Sequence, residues 1–150
     1  MLAERIDTEM KAAARAQEKQ RLNTLRMLKS AMKYREIETG KPLEDADVVA
    51  VVGTLIKQRR DSAAQYTAGR RPELAANENA EIGILEAFLP RQLTDDELSG
   101  LVQEAIVASG AKGPKEMGGV MKALMPKVAG KAEGKRVSDA VKAALAKLGA

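Results

Sequence analysis

The chain has 150 residues, with 25 Lys or Arg against 21 Asp or Glu, and contains neither cysteine nor histidine. That length suits one ordinary domain or two small lobes. The missing cysteine removes disulfides and thiol redox chemistry. The missing histidine removes the commonest general base, the commonest metal ligand and every Ser-His or Cys-His nucleophile pair.

Hydrophobic residues make up 45% and charged residues 31%, the balance of a soluble globular chain. No apolar run approaches the roughly 20 residues that cross a bilayer, so no membrane partner is expected. The opening "MLAERIDTEM" carries acids and lacks the apolar core of a secretory signal. Together these features point to a cytoplasmic location. The only aromatics are Tyr34, Tyr66 and Phe88, against 26 alanines. The core must therefore come from Leu, Ile, Val, Met and Ala on closely approaching helices. Charge is segmented. Residues 10–35 hold eight Lys/Arg against one acid, residues 73–104 eight acids against one Arg, and residues 112–147 nine Lys/Arg against three acids. Such faces either pair with one another in the fold or offer a basic surface to a polyanion.

In chain order, the apolar spacing predicts helices throughout and no strand. Leu2, Ile6 and Met10 start a first stripe; Leu22, Leu25, Leu28 and Met32 continue it on a strongly basic second helix. Gly40 and Pro42 supply a stop and a turn. Val48, Val51, Val52, Leu55 and Ile56 form the apolar face of a long third helix ending near Gly69. Pro72 opens a fourth, carrying Leu74, Ile82, Leu85 and Leu89. Pro90 closes it. Thr94 with Glu97 is a capping-box pattern that starts a new helix over Leu98, Leu101, Val102, Ala105 and Ile106. Pro114 is placed as the first-turn proline of the next, whose face is Met117, Val120, Met121, Leu124 and Met125. Pro126 lies near its end. A last helix carries Val137, Val141, Leu145 and Leu148. The expected fold is all-α and two-lobed, with long helices over residues 1–90 and a small helical lobe over 94–150.

Catalytic chemistry finds little support. Ser30, Ser62, Ser99, Ser109 and Ser138 lie in helical patterns or at helix ends, without a glycine-rich elbow, and read as solvated or capping residues. Glu78 and Glu81 share a helix face, and Asp95, Asp96 and Glu97 complement a helix start. Neither group has calcium-loop spacing, so no metal or other cofactor is expected. "GKAEGKR", residues 130–136, is not a Walker loop: three residues rather than four separate its glycines, and Arg136 stands where Ser or Thr is required.

"GGVMK" (118–122), "LMP" (124–126) and "GKAEGKRV" (130–137) resemble the C-terminal signature of the GatB/YqeY family. "LRMLKSAMKYREIE" (25–38), "IKQRRDSAAQYTAGRRPELAANENAEI" (56–82) and "LEAFLPRQLTDDEL" (85–98) extend the resemblance to free-standing YqeY-type proteins over essentially the whole chain. One departure is Glu133, where such chains carry Asp and the amidotransferase subunit Asn. The resemblance implies kinship with the tRNA-holding tail of the B subunit of tRNA-dependent amidotransferase. A carbon–nitrogen ligase label with glutamine as amido donor travels with that family. No residue here supplies a glutaminase nucleophile, an ammonia channel or an ATP site.

The expected function is a non-catalytic module for tRNA or another structured RNA. Lys122, Lys131, Lys135 and Arg136 would meet phosphates, and Gly130 and Gly134 would shape the turn between them. Arg26, Lys29, Lys57, Arg59 and Arg60 would extend the basic surface. Scarce aromatics favour reading A-form shape over stacking on single strands. The alternatives are an adaptor for a tRNA synthetase or amidotransferase, using Met117, Met121 and Met125 as an exposed face, and an accessory subunit in glutamine-dependent amide transfer.

Overall fold

A computed structural model describes residues 1–149. Those residues form seven α-helices and no strand. Contacts divide the chain into two compact units, Met1–Leu89 and a second beginning at Pro90.

The N-terminal unit holds α1 (Leu2–Arg15), α2 (Lys19–Thr39), α3 (Asp45–Ala68) and α4 (Pro72–Glu86). Its core joins Ile6 of α1, Leu25, Leu28 and Met32 of α2, Val48, Val52 and Ile56 of α3, and Ile82, Leu85 and Phe88 from the end of the unit. Spacings of three and four put each set on one helix stripe. Gly40 sits at φ 73° and its N–H donates to the Glu36 carbonyl at 2.8 Å, ending α2 in the left-handed conformation that glycine adopts freely. Pro72 occupies the first turn of α4.

Two features of this unit lack a glycine or proline signal, and in a third the helix ends earlier than its proline implies. The α1–α2 break turns on Gln17 at φ 58°, without glycine or proline, and is closed by the Glu18 N–H on the Ala13 carbonyl at 3.0 Å. At the start of α3, the Asp47 carboxylate accepts from the Glu44 N–H at 2.9 Å, so the shorter aspartate does the work usually given to Glu or Gln in a capping box. The fourth helix stops at Glu86, short of the expected Leu89. The steric effect of Pro90 reaches back into a turn in which Phe88 N–H donates to Leu85. That turn lowers Phe88 into the core, beneath the Arg5 guanidinium 4.9 Å from its ring centre.

The second unit holds α5 (Asp95–Ser109), a single 3-10 turn (Pro114–Glu116), α6 (Met117–Val128) and α7 (Gly134–Leu148). Its core contains no aromatic: Leu98, Val102, Ala105 and Ile106 meet Val120, Leu124, Val128, Ala132, Val137, Val141 and Leu145. Burying each large aliphatic contributes about 1.5–3 kcal/mol. Thr94 starts α5 as expected. Its side-chain oxygen accepts from the Glu97 N–H at 3.2 Å, and the Glu97 carboxylate accepts from the Thr94 N–H at 3.3 Å. Pro114 opens the 3-10 turn rather than α6 itself. The buried row of α6 is Val120, Leu124 and Val128. Met117 and Met121 pack at its edge and Met125 is exposed, so the expected methionine face is divided between core and water. Leu148, expected in the last apolar row, is half exposed.

Candidate nucleic-acid interface

The turn joining α6 to α7 is built by backbone geometry. Gly130 takes φ 74° just past the end of α6, and the N–H groups of Lys131 and Ala132 return to the Val128 carbonyl at 2.8 and 3.1 Å. Ala132 is thereby buried, while Lys131 projects outward. The segment before α5 braces the same turn. Leu93 N–H donates to the Lys131 carbonyl at 2.8 Å, and the Gln92 side-chain amide donates to the Gly130 carbonyl at 2.8 Å. Gly130 thus shapes the turn as expected from the sequence. Gly134 does not, because it has an ordinary φ and a Cβ there would meet nothing within 4 Å. Open space surrounds Gly134 in the first turn of α7, whose N-cap residue Glu133 makes no side-chain capping hydrogen bond.

Around this turn the lysines are exposed. Lys122 stands on the α6 face opposite Val120, Leu124 and Val128; Lys131 lies in the turn, and Lys135 in the first turn of α7. Among the described residues, none of the three enters an ion pair. Lys142 lies seven residues beyond Lys135 on the same solvent face of α7, and the sequence reading missed it despite that spacing. Arg136 behaves differently: its Nη2 donates to Asp95 Oδ1 at 2.7 Å, tying the start of α7 to the start of α5. A groove of about 330 Å³ runs between these helices, with Arg136 and Asp95 toward one end, Lys147 toward the other, and Ala140, Ala143 and Ala144 along it.

The expected cations of the N-terminal unit fare unequally. Arg59 is withdrawn from the candidate surface. It is 6% exposed, its Nε donates to Glu81 at 3.0 Å, and its remaining donors reach the Leu55 carbonyl and the Met27 sulfur. Its position was legible, because it falls in the apolar row Val48, Val52, Ile56, Ala63 of α3. Lys29 pairs with Asp7, and Arg60 with Glu86 at 3.2 Å. Arg26 and Lys57 are exposed and enter no ion pair.

Three of the five carboxylates considered for metal are likewise engaged. Glu81 serves Arg59, and Asp95 serves Arg136. Glu97 accepts two donors from Arg91, at 2.9 and 2.6 Å. That fork, with the Thr94 contacts, holds the Glu97 carboxyl at about 2, well below the usual carboxylate range, and raises Arg91 in turn.

An all-helical chain of two separately cored units, with a glycine-turned basic segment before its last helix, defines a class of small helical proteins. Within that class the sequence pattern of Yqey-like proteins matches residues 3–145, and the chain belongs to that family. It is similar to proteins named "Altered inheritance of mitochondria protein 41, mitochondrial" from three yeasts. The identity is 29% over 91 residues for Saccharomyces cerevisiae, covering 60% of this chain and 49% of that protein. It is 35% over 84 residues for Kluyveromyces lactis, covering 55% and 45%. For Lachancea thermotolerans it is 33% over 85 residues, covering 56% and 46%. The chain spans about half the length of the curated relatives it matches.

Those names overturn the cytoplasmic location expected from the sequence, since the relatives are mitochondrial proteins. The physical reason is plain. The expectation rested on features that bear on secretion alone, whereas an organelle address is amphipathic and Arg-rich and those features do not test for it. Among the described residues, no helix is long and apolar enough to cross a membrane.

Proposed function

We propose that the C-terminal unit binds structured RNA, tRNA included, by holding backbone phosphates, and performs no bond chemistry of its own. The observation that carries this reading is the state of its lysines. All eight, from Lys112 to Lys147, are exposed, and none is neutralised by an ion pair. Lys131 and Lys135 flank the start of α7, where N–H groups and the helix dipole favour an anion. Gly134 leaves a phosphate room to approach the main chain there. Lys122 and Lys142 extend the positive charge over α6 and α7, and Arg136 keeps the turn in register through Asp95.

The proposal predicts tRNA binding that weakens with salt, with a log–log slope of about 2–4 for a handful of phosphate contacts. Lys131→Glu with Lys135→Glu should lower the affinity at least about tenfold and flatten the slope by roughly 2. Undiminished binding by that double variant rejects the reading. The methionine-face adaptor has no such support, because Met117 and Met121 pack against the core of their unit. Isolated protein given glutamine, ATP and misacylated tRNA should form no amide, consistent with a chain lacking His and Cys.

A further inference from the structure

We propose that the solvent face of α2 is a docking seam for an acidic amphipathic helix of a partner protein. The seam is independent of the RNA reading and lies in the other unit.

Met27, Tyr34 and Ile37 are 51%, 74% and 70% exposed, three of the seven large hydrophobics left in water among the described residues. With Ser30 they follow the spacing three, four, three, the a–d repeat by which one helix receives another. Their stripe lies opposite Leu25, Leu28 and Met32, which face the core of the unit. Tyr34 is also the only exposed aromatic, since Tyr66 is half-buried and Phe88 buried. Met27 is held in place by the buried Arg59, whose Nη2 donates to its sulfur at 3.5 Å. The stripe is therefore partly ordered before any partner arrives.

A row of charge beside the stripe identifies the occupant. Lys19, Arg26 and Lys33 recur every seven residues along one flank, all exposed and none in an ion pair. Their neighbours on the same helix do pair: Arg21 with Glu9, Lys29 with Asp7, and Arg35 with Glu38. The pairing on α2 thus stops at the edge of the stripe, leaving cations where a coiled-coil partner places its flanking charges. A helix with apolar a and d positions and Glu or Asp beside them satisfies both features. Antiparallel self-pairing with a second copy is disfavoured, because it sets like-charged rows against each other.

The test uses two synthetic three-heptad peptides with Leu at a and d, one flanked by Glu and one by Lys, followed by fluorescence anisotropy on the intact chain. A seam of three helical turns is smaller than the roughly 1,200 Å² typical of stable complexes, so binding in the micromolar range is expected, for the Glu peptide only. Tyr34→Ala with Ile37→Ala should weaken it at least about tenfold while leaving the circular-dichroism melt unchanged. Arg26→Glu with Lys33→Glu should switch preference to the Lys peptide. Equal binding of both peptides, binding of neither, or full affinity in the alanine variant overturns the proposal. So does a concentration-dependent dimer abolished by those alanines, which would assign the face to a second copy. Displacement of the peptide by tRNA, with weakened tRNA binding in the Arg26→Glu variant, would assign it to RNA.

Discussion

In the N-terminal unit, Arg5 and Arg21 reach Glu9, Lys29 reaches Asp7, and Arg59 and Arg60 reach Glu81 and Glu86. Among the described residues of the second unit, Arg91 and Arg136 alone find carboxylates, and every lysine stays exposed. The sign of a segment therefore says less than the kind of cation it carries. Arginine has a planar fork that fits a carboxylate with little ordering, whereas lysine is a compact, strongly hydrated charge on a flexible stem. Several cations of the N-terminal unit hold its helices together, whereas the lysines of the second unit hold none.

Mutations can break or sharpen that contrast. The largest effects belong to the cores, which do not depend on charge: Leu28→Ala in one unit and Leu124→Ala in the other should each cost about 2–5 kcal/mol in denaturant unfolding. Glu81→Ala comes next. It strands a guanidinium whose side chain is 7% exposed, beside a carboxylate that is itself partly solvated, and should cost about 2–3 kcal/mol. Thr94→Ala removes a cap and should cost about 1 kcal/mol. Lys131→Glu with Lys135→Glu should change stability by less than about 0.5 kcal/mol while damaging RNA binding, because no partner is lost. A large loss of stability there would mean that the second unit also uses its lysines internally.

Acid gives the finest comparison. Glu97 is held at about 2 in the fold, so the stabilisation from its fork with Arg91 is complete above the ordinary carboxylate range and disappears as pH falls through that range toward 2. Urea midpoints measured from neutral pH down to acid should fall in that window. Glu97→Gln should remove this part of the slope and leave the remainder of the acid profile intact.

Much of the fold was legible because its signals are local. Gly40, Pro72 and the Thr94–Glu97 pair each act within a few residues of themselves, and the aliphatic rows of α3, α5 and α7 repeat at helical spacing. What escaped was decided by packing. Gln17 adopts a left-handed conformation because α1 and α2 must fold back on each other, and no residue type announces that. Phe88 is buried by the turn that follows α4, two residues before Pro90. Among the candidate contacts, Lys122, Lys131 and Lys135 remained exposed, as solvated charges ordinarily do. Arg59 did not, because its place in the apolar row of α3 outweighed its charge once Glu81 stood across from it.

The bond from the Leu93 amide to the Lys131 carbonyl has a practical consequence. One main-chain proton reports on whether the basic turn is closed, so its isotope exchange can be followed at a single resonance without any label on the lysines. An anion settling on the turn should slow that exchange, and a turn that opens to receive its ligand should hasten it.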